Sequence, residues 1–252
     1  MHWLPYFLVY AIVFSLALWR AGFRATRSPE ARPAGAAPRP TPSRLLIVGA
    51  TGGTGRQLVA RALDRGHAVT AFVRNPGKLR VDHPRLTIVQ GDVLDPATVD
   101  TAMRGQEAVL CALGHRRYFY PTRILSQGTR NLLDAMQIHG VPRLVCETSL
   151  GIGDGAGRLG LYFSLFVIPV VLPFYFWDKA RQERIVAASA AEWIIVRPGM
   201  LTNGAARGRC RHGERIGGYV WTARIARADV ADFMLDQLAA DDYLRRATGA
   251  CW

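Results

Sequence analysis

The sequence predicts a doubly wound α/β fold, with one mostly parallel sheet and helices on both faces. Three observations carry it. The four apolar residues Leu45 to Val48 run straight into a turn with glycine at 49, 52 and 55, and then into Leu58, Val59, Ala62 and Leu63 at helical spacing. From there to about residue 200, strand-like and helix-like stretches alternate. Finally, 252 residues, 50% of them hydrophobic, suit one α/β domain of ordinary size with segments to spare.

Taken in order, the chain begins with Trp3 to Trp19, which holds no charged residue, and Arg20, Arg24 and Arg27 follow. This run is at the short end for a membrane span. A secretory signal would place positive charge before the apolar run and small residues after it, and neither is evident. Positive charge on the C-terminal flank keeps that side in the cytoplasm. Residues 1–23 therefore read as a membrane anchor, N-terminus out and catalytic domain facing the cytoplasm, and as a unit separate from the rest. An atypical signal and a misplaced start are the alternatives. Residues 24–43, with Pro29, Pro33, Pro38, Pro40 and Pro42, read as an extended linker. The folded domain is expected over 44–252.

In that domain the glycine turn has a physical purpose. Gly49 permits the tight turn, Gly52 lets a pyrophosphate approach the backbone, and Gly55 lets the helix pack close to the strand. Phosphates then sit on the free N–H groups at the positive end of the helix, where Thr51 and Thr54 add hydroxyls. A second strand, Ala68 to Val73, ends at Arg74, with Lys78 and Arg80 behind it. An acid here would bind the ribose of NAD, whereas arginine suits the 2′-phosphate of NADP. The third strand, Leu86 to Val89, leads to Gly91-Asp92-Val93, where Asp92 meets the adenine edge or caps the next helix. The fourth, Ala108 to Leu113, ends at Gly114, where backbone can run beside a cofactor. A helix is expected around Thr122 to His139, then a fifth strand, Leu144 to Thr148, ending at Ser149. Glu192 to Arg197 is the sixth, and Pro198-Gly199 turns back over the pocket.

These phrases together resemble a family. G-A-T-G-G-T-G from Gly49, V-R-N after the second strand, G-D-V after the third, A-L-G after the fourth and T-S after the fifth are similar to the atypical short-chain dehydrogenase/reductases. Val196-Arg197-Pro198-Gly199 and Ala228-Asp229-Val230-Ala231 fit the same group. Within it the likeness is to the biliverdin reductase B/flavin reductase type and its bacterial NAD(P)H-binding relatives. It covers about Arg44 to Leu238. The resemblance implies a Rossmann-type domain that binds NADP(H) through Gly49, Thr51, Gly52, Thr54, Gly55, Arg74, Asp92, Leu113 and Ser149. Gly53, Val93, Gly114, Lys179 and Pro198 complete the candidate cofactor set.

Leu159 to Trp177 departs from a plain domain of this kind, with no charge across nineteen positions. Its length admits a span. Pro169 and Pro173 oppose a continuous helix, and a span would part Lys179 from the nucleotide loop. A hydrophobic flap at 159–177, dipping into the bilayer surface, is the preferred reading; a core or dimer contact is the other. Within it, Tyr175 and Lys179 form Tyr-x-x-x-Lys, which stacks both on one helix face. In the wider family the tyrosine is the general acid or base and the lysine lowers its pKa and binds the nicotinamide ribose. Lys179, Tyr175 and Ser149 are the catalytic candidates, though Tyr175 sits in an aromatic cluster where it can equally be packing. Asp178-Lys179-x-x-Gln182-Glu183 resembles the family's helix.

The net charge of +13 comes mostly from arginine and is scattered, with no zinc-finger spacing or basic aromatic stripe, so nucleic acid is not the expected partner. Cys111, Cys146, Cys210 and Cys251 are widely spaced and read as reduced residues, not a disulfide framework or metal site. His67, His115, His139 and His212 lack metal-ligand spacing and read as surface residues. Two functions follow. One is a membrane-tethered NADPH-dependent reductase of a planar, apolar small-molecule acceptor such as a flavin or quinone. The other is a non-catalytic NADP(H)-binding redox sensor or assembly factor for a membrane complex.

Overall fold

The computed structural model describes residues 3–21 and 40–252, so most of the linker expected at 24–43 lies outside the described residues. The strands of the main sheet begin with β1 (Arg44–Val48), β2 (Ala68–Val73), β3 (Leu86–Gln90), β4 (Ala108–Cys111), β5 (Arg143–Glu147) and β6 (Glu192–Pro198). All are parallel neighbours in the order β3-β2-β1-β4-β5-β6. The chain winds one way from β1 to β3, then crosses back to β4. The crevice where a Rossmann sheet holds its ligand is therefore outside the carboxyl ends of β1 and β4.

Four further strands were not legible as strands in the sequence. β7 (Met200–Thr202) and β9 (Arg224–Ala226) pair outside the main sheet. β10 (Arg246–Cys251) extends the main sheet beside β6, and β8 (Arg211–Gly213) closes its edge antiparallel. β10 reads Arg-Ala-Thr-Gly-Ala-Cys, too small and mixed for an apolar run, and the buried neighbour β6 decides its conformation.

Helices cover both faces. α2 (Gly53–Asp64) and α6 (Arg227–Asp236) lie on one, where Leu45, Ile47, Leu58, Val59, Phe233 and Met234 form a core. α3 (Pro96–Met103), α4 (Ile124–His139) and α5 (Pro173–Ala187) lie on the other, around Leu46, Val48, Val109, Leu132, Cys146 and Val186. α1 (Leu4–Ala21) precedes them all. It is not the separate unit expected from the sequence. Leu18, Phe14 and Ala21 pack on Leu150, Ile152, Leu159, Ile168 and Phe176 of the domain.

The uncharged 159–177 stretch is helical in two parts. Phe163–Val171 is a π-helix with Pro169 inside it, and α5 starts at Pro173 after a bend of 98° at Leu172. Proline at the first position of α5 costs nothing there, because that N–H has no helical partner. Hence Pro173 begins a helix instead of ending one, which the sequence reading did not foresee.

Candidate functional site: a cleft at the carboxyl ends of the central strands

The glycine loop is held by contacts that only glycine permits. Gly49 has φ +83°, and a Cβ on it would strike the Ala112 carbonyl at the end of β4. A Cβ on Gly55 would strike the Gly49 carbonyl. The Gly52 N–H donates to Gly49 O at 2.9 Å. Gly52 is the N-cap of α2 and brings no side chain to the first turn, so the helix opens with its N–H groups free for an anion.

The loop lines a cleft of about 810 Å³. Gly49, Thr51, Gly52, Gly53 and Thr54 of the glycine loop line it, with Arg74 and Lys78 after β2 and Asp92 and Val93 after β3. Leu113, Gly114, His115 and Tyr118 after β4, Glu147 and Thr148 at the end of β5, and Tyr175 and Lys179 of α5 complete the lining. A larger hollow of about 1110 Å³ lies between α4 and α5, but it contains none of the residues expected from the sequence to form the site.

α5 is fixed by a row of buried polar residues, each with its own partner. Asp178 accepts from the main-chain N–H groups of Leu125 at 2.9 Å and Ser126 at 3.2 Å. It thereby caps α4, whose own N-cap, Arg123, supplies no side-chain bond. Gln182 Nε2 donates to Thr129 Oγ1 at 2.9 Å, and Glu183 accepts from Thr148 Oγ1 at 2.7 Å. Lys179 Nζ donates to Glu147 O at 2.9 Å and Leu113 O at 3.3 Å. The lysine thus ties the ends of β4 and β5 to the helix. Burial works to lower its pKa, but Tyr175 and Glu147 outweigh that and raise it, so the ammonium stays charged.

Tyr175 lies one turn before Lys179, with the ammonium 5.7 Å from its ring centroid. His115 meets the ring edge-on at 4.9 Å and Tyr118 at 5.8 Å. Burial pushes the Tyr175 phenol above its ordinary pKa, and Lys179 offsets only part of that rise, so the phenol keeps its proton at neutral pH. Burial likewise lowers the His115 pKa, with Asp178 opposing, so the imidazole is neutral.

A model of the NAD(P)H-binding family matches residues 49–241. The chain belongs to this NAD(P)H-binding family. An uncharacterised chloroplastic protein of Arabidopsis thaliana is 34% identical over 173 residues, 64% of this chain and 60% of that protein. Protein TIC 62 of Pisum sativum is 28% identical across 62% of this chain and 32% of its own length. Photosystem II assembly factor Ycf39 of Synechocystis is 35% identical across 40% and 32%. The chain thus spans 60% or less of these relatives' own lengths. Among solved structures, the anaerobilin reductase ChuY of Escherichia coli superposes with TM-score 0.68 at 22% identity, covering 82% of this chain and 96% of that one. A short-chain dehydrogenase/reductase of Veillonella parvula in complex with NADP does so with TM-score 0.67 at 19% identity, covering 84% and 95%. These two share the fold.

The cleft gathers most of the residues that the sequence offered as cofactor candidates. Gly49, Thr51 to Thr54, Arg74, Asp92, Val93, Leu113, Gly114, Tyr175 and Lys179 all line the cleft. Gly55 sits behind the loop and sets its approach to α2. Ser149 and Pro198 are not among the lining residues. The Ser149 hydroxyl donates to Leu150 O, and Pro198 ends β6. β5 starts and ends one residue earlier than expected, so Glu147 and Thr148 take the place given to Ser149. Asp92 lines the cleft and accepts from Leu94 N; the cap of α3 is Asp95.

The sequence reading missed several contributors. Glu147 is buried, and its carboxyl accepts from Thr54 Oγ1 at 3.0 Å. Burial pushes that carboxyl above its usual pKa, against the pull of Lys179 and Thr54. Arg56 and Arg227 also line the cleft, and Arg56 Nη2 donates to Lys78 O at 2.9 Å. His115 had been read as a surface residue; it is half-buried against Tyr175. His67, also read as surface, is buried with Nδ1 2.8 Å from Pro42 O. The signal for His115 was its place directly after Gly114, at the carboxyl end of a switch-point strand. Cys111 and Cys146 are register partners on β4 and β5, both free and buried. Among the described residues no group of three or more His, Cys, Asp and Glu is placed to hold a metal.

Proposed function

We propose that this protein is a membrane-bound, NADPH-preferring reductase of a planar, apolar acceptor, of flavin or quinone type. The observation that carries the reading is the composition of one cleft: a phosphate cradle, a cationic side and an aromatic roof. The uncapped first turn of α2 suits a pyrophosphate. Arg74, Arg56 and Lys78 give the cationic side that a 2′-phosphate needs, with no acid at the end of β2. A bound dihydronicotinamide supplies the hydride, and the protein supplies orientation and an apolar surround. Lys179 holds the ends of β4 and β5 where the nicotinamide end lies, and Tyr175 and His115 offer flat, neutral faces to an aromatic acceptor. The Tyr175 phenol, protonated at neutral pH, is placed to give a proton to the reduced product. α1, uncharged up to Trp19 and carrying Arg20 in its last turn, supports a tether at the membrane surface with the domain on the cytoplasmic side.

The second reading, a cofactor-binding protein without turnover, has its own support. The Lys179 ammonium is engaged by two main-chain carbonyls, and Tyr175 is not activated. Steady-state NADPH oxidation by the full chain in mild detergent, against a panel of flavins and quinones, separates the two. Turnover that falls on Tyr175→Phe or His115→Ala, with NADPH affinity kept, supports the reductase. Tight NADPH binding with no oxidation by any acceptor selects the sensor or assembly factor instead.

A further inference from the structure

α1 is apolar on every side. Its docked stripe is Phe7, Ala11, Phe14, Leu18 and Ala21, at spacings of four and three. The opposite face is just as apolar and exposed, with Val9 at 60%, Ile12 at 50%, Val13 at 58% and Leu16 at 54%. Tyr162 and the π-helical segment after it continue this apolar surface, with Tyr162, Phe166 and Val170 all exposed. A helix hydrophobic all round is either a core helix or a membrane helix, and this one is not enclosed by protein. Its 18 residues make about 27 Å at 1.5 Å per residue, near the thickness of a bilayer core. Trp3 and Tyr6 stand at one end, and Trp19 and Arg20 at the other, as interfacial residues do. The net charge of +13 favours anionic headgroups.

The polar contacts between the two elements are more telling. In a π-helix each carbonyl accepts from the N–H five residues on. For Ser164 that residue is Pro169, which has no N–H. For Pro169 it is Phe174, which belongs to α5 beyond the 98° bend. These are the two carbonyls that α1 reaches: Ser15 Oγ donates to Ser164 O at 3.0 Å, and Tyr10 Oη to Pro169 O at 2.9 Å. On an aqueous surface water would fill both places. In hydrocarbon each unsatisfied carbonyl costs several kcal/mol, and irregular backbone survives only when protein supplies the partner.

We propose that α1 and the Phe163–Val171 segment enter the lipid bilayer together, α1 as a span and the π-helix as a re-entrant segment stitched to it by Ser15 and Tyr10. α5 stays outside, since Asp178 and Gln182 tie it to α4 and Lys179 and Glu183 tie it to the end of β5. The unit reaches the cleft, because Tyr175 packs in the same cluster as Phe14 of α1 and also lines the cleft. An acceptor dissolved in lipid then meets Tyr175 from the membrane side. This consequence rests on the reductase reading; the shared burial in lipid does not.

Labelling by a membrane-impermeant maleimide tests the proposal, using the full chain in vesicles of phosphatidylcholine and phosphatidylglycerol. Phe166→Cys and, independently, Val170→Cys should label roughly tenfold more slowly than Val81→Cys on the domain surface, since lipid excludes the reagent. Adding Ser15→Ala and Tyr10→Phe should speed labelling at residues 166 and 170 several-fold while NADPH affinity holds. Labelling at residues 166 and 170 as fast as at residue 81 overturns insertion. Labelling unchanged by the double substitution overturns the stitching. Protection that persists in lipid-free detergent, with a cross-linkable dimer, assigns the face to a second copy and overturns the bilayer. No arm reads turnover, so failure of the reductase reading leaves the test intact.

Discussion

Arg197 of β6 holds Glu183 of α5 at two points, Nε to Oε1 at 2.9 Å and Nη2 to Oε2 at 2.7 Å, with Arg197 2% and Glu183 0% exposed. Asp154 takes a third guanidinium N–H, and Thr148 Oγ1 shares Oε1. The pair anchors the helix that carries Tyr175 and Lys179. Removing one partner leaves an uncompensated buried charge. Arg197→Met should therefore destabilise the protein by about 3–5 kcal/mol in denaturant melts. Combining it with Glu183→Leu should cost clearly less than the single change, because no fully buried charge is left stranded; Asp154 is a third exposed and stays hydrated.

Cofactor choice rests on Arg74. Its replacement by Ala should weaken NADPH binding by about 1.5–3 kcal/mol, the worth of a charge-assisted hydrogen bond, and leave NADH nearly unchanged. Arg56→Ala should act in the same direction. Titration calorimetry with both cofactors checks this, and equal losses for the two would refute the assignment of a 2′-phosphate site.

Glu147 gives the protein a pH dependence of definite sign. Burial raises its folded pKa above the ordinary 4.5. Between the two values the native state keeps a proton that the unfolded chain releases, so stability falls as pH rises through that window. Glu147→Gln keeps an acceptor for the Thr54 hydroxyl and abolishes the ionisation. Its melting temperature should track that of the parent protein at and below the unfolded pKa and exceed it progressively above, until the folded pKa is passed. A constant difference across the range would show that the carboxyl ionises as freely in the native state as in the unfolded one.

Gly55→Ala tests the cradle without touching a charge. The new Cβ would strike the Gly49 carbonyl, so either α2 or the loop must move. Overpacking of this kind costs about 1–3 kcal/mol. NADPH affinity should fall along with stability, as calorimetry and thermal melts would show. An alanine accepted with unchanged affinity would mean that the loop does not hold the pyrophosphate in this form.

The sequence by itself determined the Rossmann sheet from β1 to β6, the position of the phosphate loop, and Arg74 at the end of β2. Each of these is local: an apolar run of one strand's length, a glycine whose φ or close approach excludes a Cβ, a charge at a fixed offset from a strand. It also marked Asp178, Lys179, Gln182 and Glu183 as a set, but gave no partner for any of them. Only the tertiary structure decided that Asp178 caps α4, that Lys179 binds two carbonyls, and that Glu147 and Thr148 stand where Ser149 was expected. A buried polar residue is read from the neighbour that satisfies it, and those neighbours lie 32 to 66 residues away for Lys179 and 52 to 53 for Asp178. β10 was hidden for a related reason, since small mixed residues become a strand only beside β6. So was the place of α1: its composition marked a hydrophobic helix, but the apolar side chains it packs on and the Ser164 and Pro169 carbonyls it reaches lie about 150 residues away.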